Sequence, residues 1–213
     1  VLLVFQGMDA SGKDGVVRKA LSGVNPAGCR VTSFKAPTGL ELEHDYLWRV
    51  SAALPDRGSI GVFNRSHYED VLVVRVHPEL LGRQRLQSRK LLDATWEKRF
   101  RAIREWEHHL ADNGTVIRKF FLHVSREEQR DRLLARLDDP HKRWKFDPAD
   151  VVERAHWDDY RAAYEDVLAE TSRPWAPWYV IPADDKAYAR ATVAGLVRDT
   201  LEGLDLSWPE PDA

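Results

Sequence analysis

Val1-Leu2-Leu3-Val4-Phe5-Gln6-Gly7-Met8-Asp9-Ala10-Ser11-Gly12-Lys13-Asp14 is the stretch that decides the fold. A short apolar run reads as a buried strand, and it delivers the chain to a glycine-containing loop. That loop fits G-x-x-x-x-G-K, the phosphate-binding pattern, with Asp14 where Ser or Thr is expected. Gly7 and Gly12 allow close backbone approach. Residues 12–22 continue as a helical pattern, whose first N–H groups point at an anion. Gly7, Ala10, Ser11, Gly12, Lys13 and Asp14 are therefore the expected phosphate cradle, with Lys13 reaching the outer phosphates. A carboxylate beside phosphate repels it unless a cation lies between, so Asp9 reads as a metal-side or acceptor-orienting residue. Asp14 reads either as a stand-in for the hydroxyl or as a favourable charge in the first helical turn.

Outward from the loop, β-rich apolar runs recur at 30–34, 59–63, 115–124 and 178–181. Helical patterns occupy 40–54, 83–111, 126–137, 148–170 and 185–204. Strands alternating with helices predict an α/β fold, a parallel sheet of about five strands covered on both faces. Ser125 with Glu128 reads as a capping box, and Asp147-Pro148 as a second helix start. Sites in such folds lie at the carboxyl ends of the strands. There the third strand runs into Phe63-Asn64-Arg65-Ser66-His67-Tyr68-Glu69-Asp70. Arg65 suits neutralising a transferring phosphoryl group, and Glu69 or Asp70 suits holding metal or orienting an acceptor. Gln129, Arg132 and Arg136 share a helical face that leads to Lys142-Arg143-Trp144-Lys145. That basic segment between two helices has the look of a lid closing over phosphates; a solvated charged face is the alternative. Lys186, after the last strand, either approaches a nucleotide or starts a helix. His67 is a weaker candidate, as a phosphohistidine nucleophile.

The 213 residues suffice for one domain with a real core. Lys and Arg number 32 against 34 Asp and Glu, a net charge of −2, which argues against a broad nucleic-acid or membrane surface. Cys29 is the single cysteine, so no intrachain disulfide forms and a reducing, cytoplasmic setting is expected. No run spans a bilayer and no signal peptide is visible.

The chain resembles the family-2 polyphosphate kinases. The resemblance runs through the loop 7–15, through Asn64-Arg65-Ser66-His67-Tyr68-Glu69-Asp70, through Arg136-Leu137-Asp138-Asp139-Pro140-His141-Lys142-Arg143-Trp144-Lys145, and through Trp157-Asp158-Asp159-Tyr160, Ala176-Pro177-Trp178 and Asp184-Asp185-Lys186. It implies a three-layer α/β/α phosphate-loop kinase fold, similar to thymidylate kinase, as a single domain over 1–213 with a helical lid at about 136–150. A further N-terminal helical segment of the family is expected to be absent. It implies transfer of a terminal phosphoryl group between inorganic polyphosphate and a nucleotide, with Mg2+ or Mn2+ held by Asp9 and Glu69, and a homo-oligomer. Lys13, Arg65 and Arg136 would stabilise the transferring group. Arg132, Lys142, Arg143 and Lys145 would hold the polyphosphate chain, and Asn64, Glu69 and Lys186 would face the nucleotide. Many members carry Asp at the position of Asn64; the variant with Asn64 and Glu69 resembles the subgroup that accepts mono- and diphosphates. The rivals are an ATP-dependent nucleoside monophosphate kinase and a non-catalytic phosphate-loop module.

Overall fold

Alternation along β1, Leu2–Gln6, sets the layers. Leu2 and Val4 pack into one hydrophobic cluster and Leu3 and Phe5 into another, and all four are fully buried. Successive strand side chains point to opposite faces, so β1 is covered on both. Each such burial contributes about 1.5–3 kcal/mol, enough to fix the strand from which the loop springs.

The computed structural model describes residues 1–84 and 95–207, with the backbone alone for Lys145. After the loop come α1 (Lys13–Ala20), β2 (Cys29–Ser33), α2 (Gly39–Leu42), α3 (Trp48–Ser51) and β3 (Ile60–Asn64). A 3-10 turn at His67–Asp70 leads to α4 (Val73–Val76). Then follow α5 (Thr95–Asp112), β4 (Ile117–His123), α6 (Arg126–Asp138), α7 (Pro148–Glu153), α8 (Trp157–Thr171), β5 (Trp178–Pro182) and α9 (Lys186–Glu202). The sheet order is β2-β3-β1-β4-β5, with every pairing parallel. Valines of α1 and α9 pack on the face of Leu3 and Phe5. Residues of α3, α5 and α8 pack on the face of Leu2 and Val4. This is the expected α/β/α sandwich of the phosphate-loop kinase fold, and its crevice opens at the carboxyl end of β1, between β3 and β4.

The helical patterns are less continuous than expected. The pattern at 40–54 is broken into α2 and α3. Asp45 breaks it: its carboxylate accepts from Leu47 N at 2.9 Å and its carbonyl from Trp48 N at 3.1 Å, diverting donors from the helix. Of the pattern at 83–111, residues 85–94 lie outside the described residues and the remainder is α5. The pattern at 148–170 is two helices joined by a 3-10 turn at Arg154–His156.

Caps follow the same local logic. Asp147 caps α7, with Pro148 at its first position. At α6, Ser125 Oγ accepts from Glu128 N, but the reciprocal half of the box is diverted. Ser125 N donates to Asp184 (2.7 Å), and the Glu128 carboxylate accepts from Arg132 (2.7 Å). A full capping box is formed at α2, by Thr38 with Glu41.

Candidate active site

The loop is shaped by backbone constraints before any side chain matters. Gly12 caps α1 with φ 95°, a left-handed conformation that glycine adopts freely. Gly7 is packed against backbone: a Cβ there would lie 2.7 Å from Ser11 Oγ and 2.8 Å from the Leu122 carbonyl oxygen. The carbonyl cannot yield without moving β4. Gly7→Ala is therefore expected to cost about 1–3 kcal/mol and to weaken phosphate binding, measured by urea unfolding and by polyphosphate titration.

Lys13 Nζ lies inside the loop, donating to the Gly7 carbonyl (2.5 Å) and the Met8 carbonyl (3.2 Å). Burial lowers its pKa to about 8; the Arg65 charge adds to this, and Asp9, Glu69 and Asp14 oppose it. A lysine is charged below its pKa. Affinity of the free protein for polyphosphate is thus expected to fall as pH rises through about 8, an effect read from Kd against pH.

An open cleft of about 770 Å3 runs over the loop. Asp9 through Gly15 line it, together with Asn64, Arg65, Arg132, Arg136, Lys142 and Lys186. These residues come from four separate segments of the sequence, and the sheet's carboxyl edge brings them to one place. Lys35 joins them and was missed; it stands just after β2, the position where a strand end meets the crevice.

Arg65 is the centre of the site. Its φ of 62° is unusual for a side-chain-bearing residue. It donates to Asp9 Oδ1 (3.0 Å) and to Glu69 Oε2 (3.3 Å), so two carboxylates flank one guanidinium. Arg65 lines the loop cleft, a second pocket of about 190 Å3, and a cavity of about 50 Å3 beneath α7 and α8. Pro37, Leu42, Val73, Val74 and Leu80 give the second pocket apolar walls, with Lys35, Glu69 and Arg83 among its polar ones.

Several candidates sit differently from expectation. Arg132 has all five donors engaged: by Glu128, and by the carbonyls of Ala10, Ser11, Ala183 and Asp184. It braces the loop instead of offering donors to phosphate. Gln129 does likewise, donating to the Asp9 carbonyl (3.0 Å). Asp70 does not line the loop cleft; it is buried in the wall of the second pocket, accepting from Gln84 (2.6 Å) with Arg99 beside it. Arg136 is paired with Asp150 of α7 (2.7 Å), which ties α6 to α7. Lys142 pairs with Asp139, and exposed Arg143 donates to the Leu137 carbonyl and does not line the cleft. The Lys145 side chain lies outside the described ones. Asn64 donates to Asp14 Oδ1 at 2.7 Å. His67 is fully buried against Trp106 and Tyr68, which removes it as a nucleophile.

Residues 1–207 match the family model described as Polyphosphate kinase 2 (PPK2). The chain belongs to the polyphosphate kinase 2 family. Among curated relatives of this family, the ADP-polyphosphate phosphotransferase of Rhodopseudomonas palustris is 56% identical over 211 residues, covering 99% of this chain and 73% of that protein. The AMP/ADP-polyphosphate phosphotransferase of Meiothermus ruber is 52% identical over 212 residues, covering 100% of this chain and 75% of that protein. The crystal structure of Polyphosphate Kinase 2 from Arthrobacter aurescens TC1 superposes with a TM-score of 0.91 at 45% identity, covering 100% of this chain and 71% of that one. Across the described residues, no helix of this family member is long and apolar enough to cross a membrane.

Proposed function

We propose that the chain moves the terminal phosphoryl group between inorganic polyphosphate and nucleoside mono- and diphosphates, by direct in-line transfer at Arg65. The observation that carries this reading is that Arg65 is shared by the basic cleft over the loop and the apolar-walled pocket of about 190 Å3 beside it. A polyanion fits the first and a nucleotide the second, so their reacting ends meet at one guanidinium.

In this reading polyphosphate follows Lys142 and Arg136 toward the loop, and the segment 136–150 acts as the lid. Lys13 and Arg65 offset charge on the equatorial oxygens of the transferring group. The attacking atom is a nucleotide phosphate oxygen, already ionised at neutral pH, so no general base is needed. A P–O bond forms to the acceptor as the bridging P–O bond breaks, and the chain leaves one unit shorter.

The donor set fits a hard divalent cation. Asp9 and Glu69 supply two carboxylates within reach of Arg65, and no group of three or more His, Cys, Asp or Glu among the described residues is placed to hold a metal. Two carboxylates suit Mg2+ completed by substrate phosphates and water. Asp9 and Glu69 would hold such a cation, which would offset the negative charge of the phosphates. Lone Cys29 fits a reducing compartment, and we place the reaction in the cytoplasm, in a homo-oligomer.

The test is donor substitution. The protein is given Mg2+, AMP or ADP, and either polyphosphate or ATP as sole donor, and nucleotides are resolved by chromatography. Phosphorylation from polyphosphate supports the reading. Transfer from ATP alone would make the chain a nucleoside monophosphate kinase, and no transfer from either would leave a binding module.

A further inference from the structure

Gln6 is the last residue of β1 and is completely buried. Alternation places it on the same face as Leu2 and Val4, where an apolar side chain would pack. It is an amide instead, directly before the loop and directly beneath the 3-10 turn that carries Glu69. A buried amide must have its partners, and here they fix its orientation. Its nitrogen donates to Glu69 Oε1 at 2.9 Å, and its oxygen accepts from Ser66 N and Ser66 Oγ, each at 3.1 Å. The opposite orientation would set the amide oxygen against the carboxylate.

The two oxygens of Glu69 are thereby divided. Oε1 takes the Gln6 amide, and Oε2 takes Arg65 at 3.3 Å. A glutamate side chain left loose loses rotamer freedom when it is ordered. With both oxygens held, that cost is met before substrate arrives. The same amide oxygen holds the turn itself, because Ser66 Oγ also caps Tyr68 N at 3.2 Å.

We propose that Gln6 is a positioning residue for phosphoryl transfer: its amide holds the Glu69 carboxylate toward Arg65 and the acceptor pocket. This rests on the reading of Glu69 as acceptor-facing. Gln6 touches no substrate and acts through Glu69.

The substitution Gln6→Glu isolates the interaction. A carboxylate at this position still accepts from Ser66 and loses only the donor aimed at Glu69, meeting it with a second negative charge. The partner change Glu69→Gln restores a donor from the other side, so the double variant again has one amide facing one carboxylate. Steady-state constants for AMP, ADP and polyphosphate are measured on Q6E, E69Q and Q6E/E69Q, with thermal unfolding of each. Q6E is expected to lower kcat/KM for AMP about tenfold with the polyphosphate KM within twofold of the parent. The double variant is expected to be no worse than the weaker single variant, a departure from multiplicativity of about tenfold.

Effects that simply multiply would overturn the proposal, as would a Q6E enzyme with parental constants. A purely structural role for Gln6 would raise the KM of donor and acceptor alike, which also counts against it. E69Q alone checks the underlying reading. An unchanged AMP KM there removes both the reading and the role of Gln6, whereas a changed E69Q with a parental Q6E overturns only the latter. Should Q6E fail to accumulate as folded protein, Gln6→Met, similar in volume and lacking both polar ends, carries the same acceptor-selective prediction.

Discussion

Lys13→Ala is expected to lower kcat/KM for polyphosphate by about 10^2–10^3-fold, the scale of losing one preorganised charge at a transition state. The ammonium group is buried within the loop, and its nearest partners are the loop carbonyls of Gly7 and Met8. It therefore stands where phosphate oxygens meet the loop. Arg132, the obvious substitute, has every donor occupied. The urea midpoint of Lys13→Ala should stay near the parental value, because removing a partly desolvated charge relieves as much as it costs. Steady-state kinetics with polyphosphate varied give the answer, and a loss smaller than threefold would be incompatible with the scheme.

The second large effect falls on stability. Lys119 points from β4 into the layer beneath α5 and is fully buried. Nζ donates to Glu107 (2.6 Å), Tyr68 Oη (2.8 Å) and the Thr171 carbonyl (2.9 Å), with the Tyr68 and Trp178 rings about it. Burial alone would raise the Glu107 carboxyl; the Lys119 charge, with help from His67, holds it below its ordinary value. Lys119→Met leaves that carboxylate buried without its counter-charge, held by the Tyr68 hydroxyl (2.7 Å). The expected cost is about 3–5 kcal/mol, a large share of the stability of a domain this size. Glu107→Leu added to Lys119→Met should recover most of it, since a well-packed apolar pair often replaces a buried ion pair without loss. Urea unfolding of the two variants measures both. Tyr68 belongs to the same turn as Glu69, so activity should fall with stability in the single variant and return in the double.

Local signals account for what was readable in the sequence. Apolar runs gave the five strands within a residue or two; β1 and β3 are central strands buried on both faces and so are nearly continuously apolar, whereas β2 is an edge strand with no buried residue. The glycine loop and the cap at Asp147 were legible because each depends on a few adjacent residues. The helix at 40–54 was misjudged because Asp45 competes for backbone donors, and periodicity does not register that competition. Arg132 was placed on the correct helical face, but spacing cannot reveal that five acceptors from three segments surround it. Asp70 lines the pocket of about 190 Å3 beside Glu69, but its pairing with Arg99 and Gln84 there depends on the 3-10 turn and not on any spacing in the sequence. Lys119 carries a signal that apolar periodicity does not register: a charge within a buried strand needs a buried partner. Gln6 carried the same signal, an amide where alternation calls for an apolar side chain.

The most direct measurement is a 31P NMR time course of the protein with Mg2+, AMP and long-chain polyphosphate as the sole donor. The account predicts that the β-phosphorus signal of ADP grows as interior polyphosphate signal declines, with the chain-end signal constant, because each transfer removes one unit and leaves two ends. Orthophosphate in place of ADP, or new chain ends without nucleotide product, would contradict it.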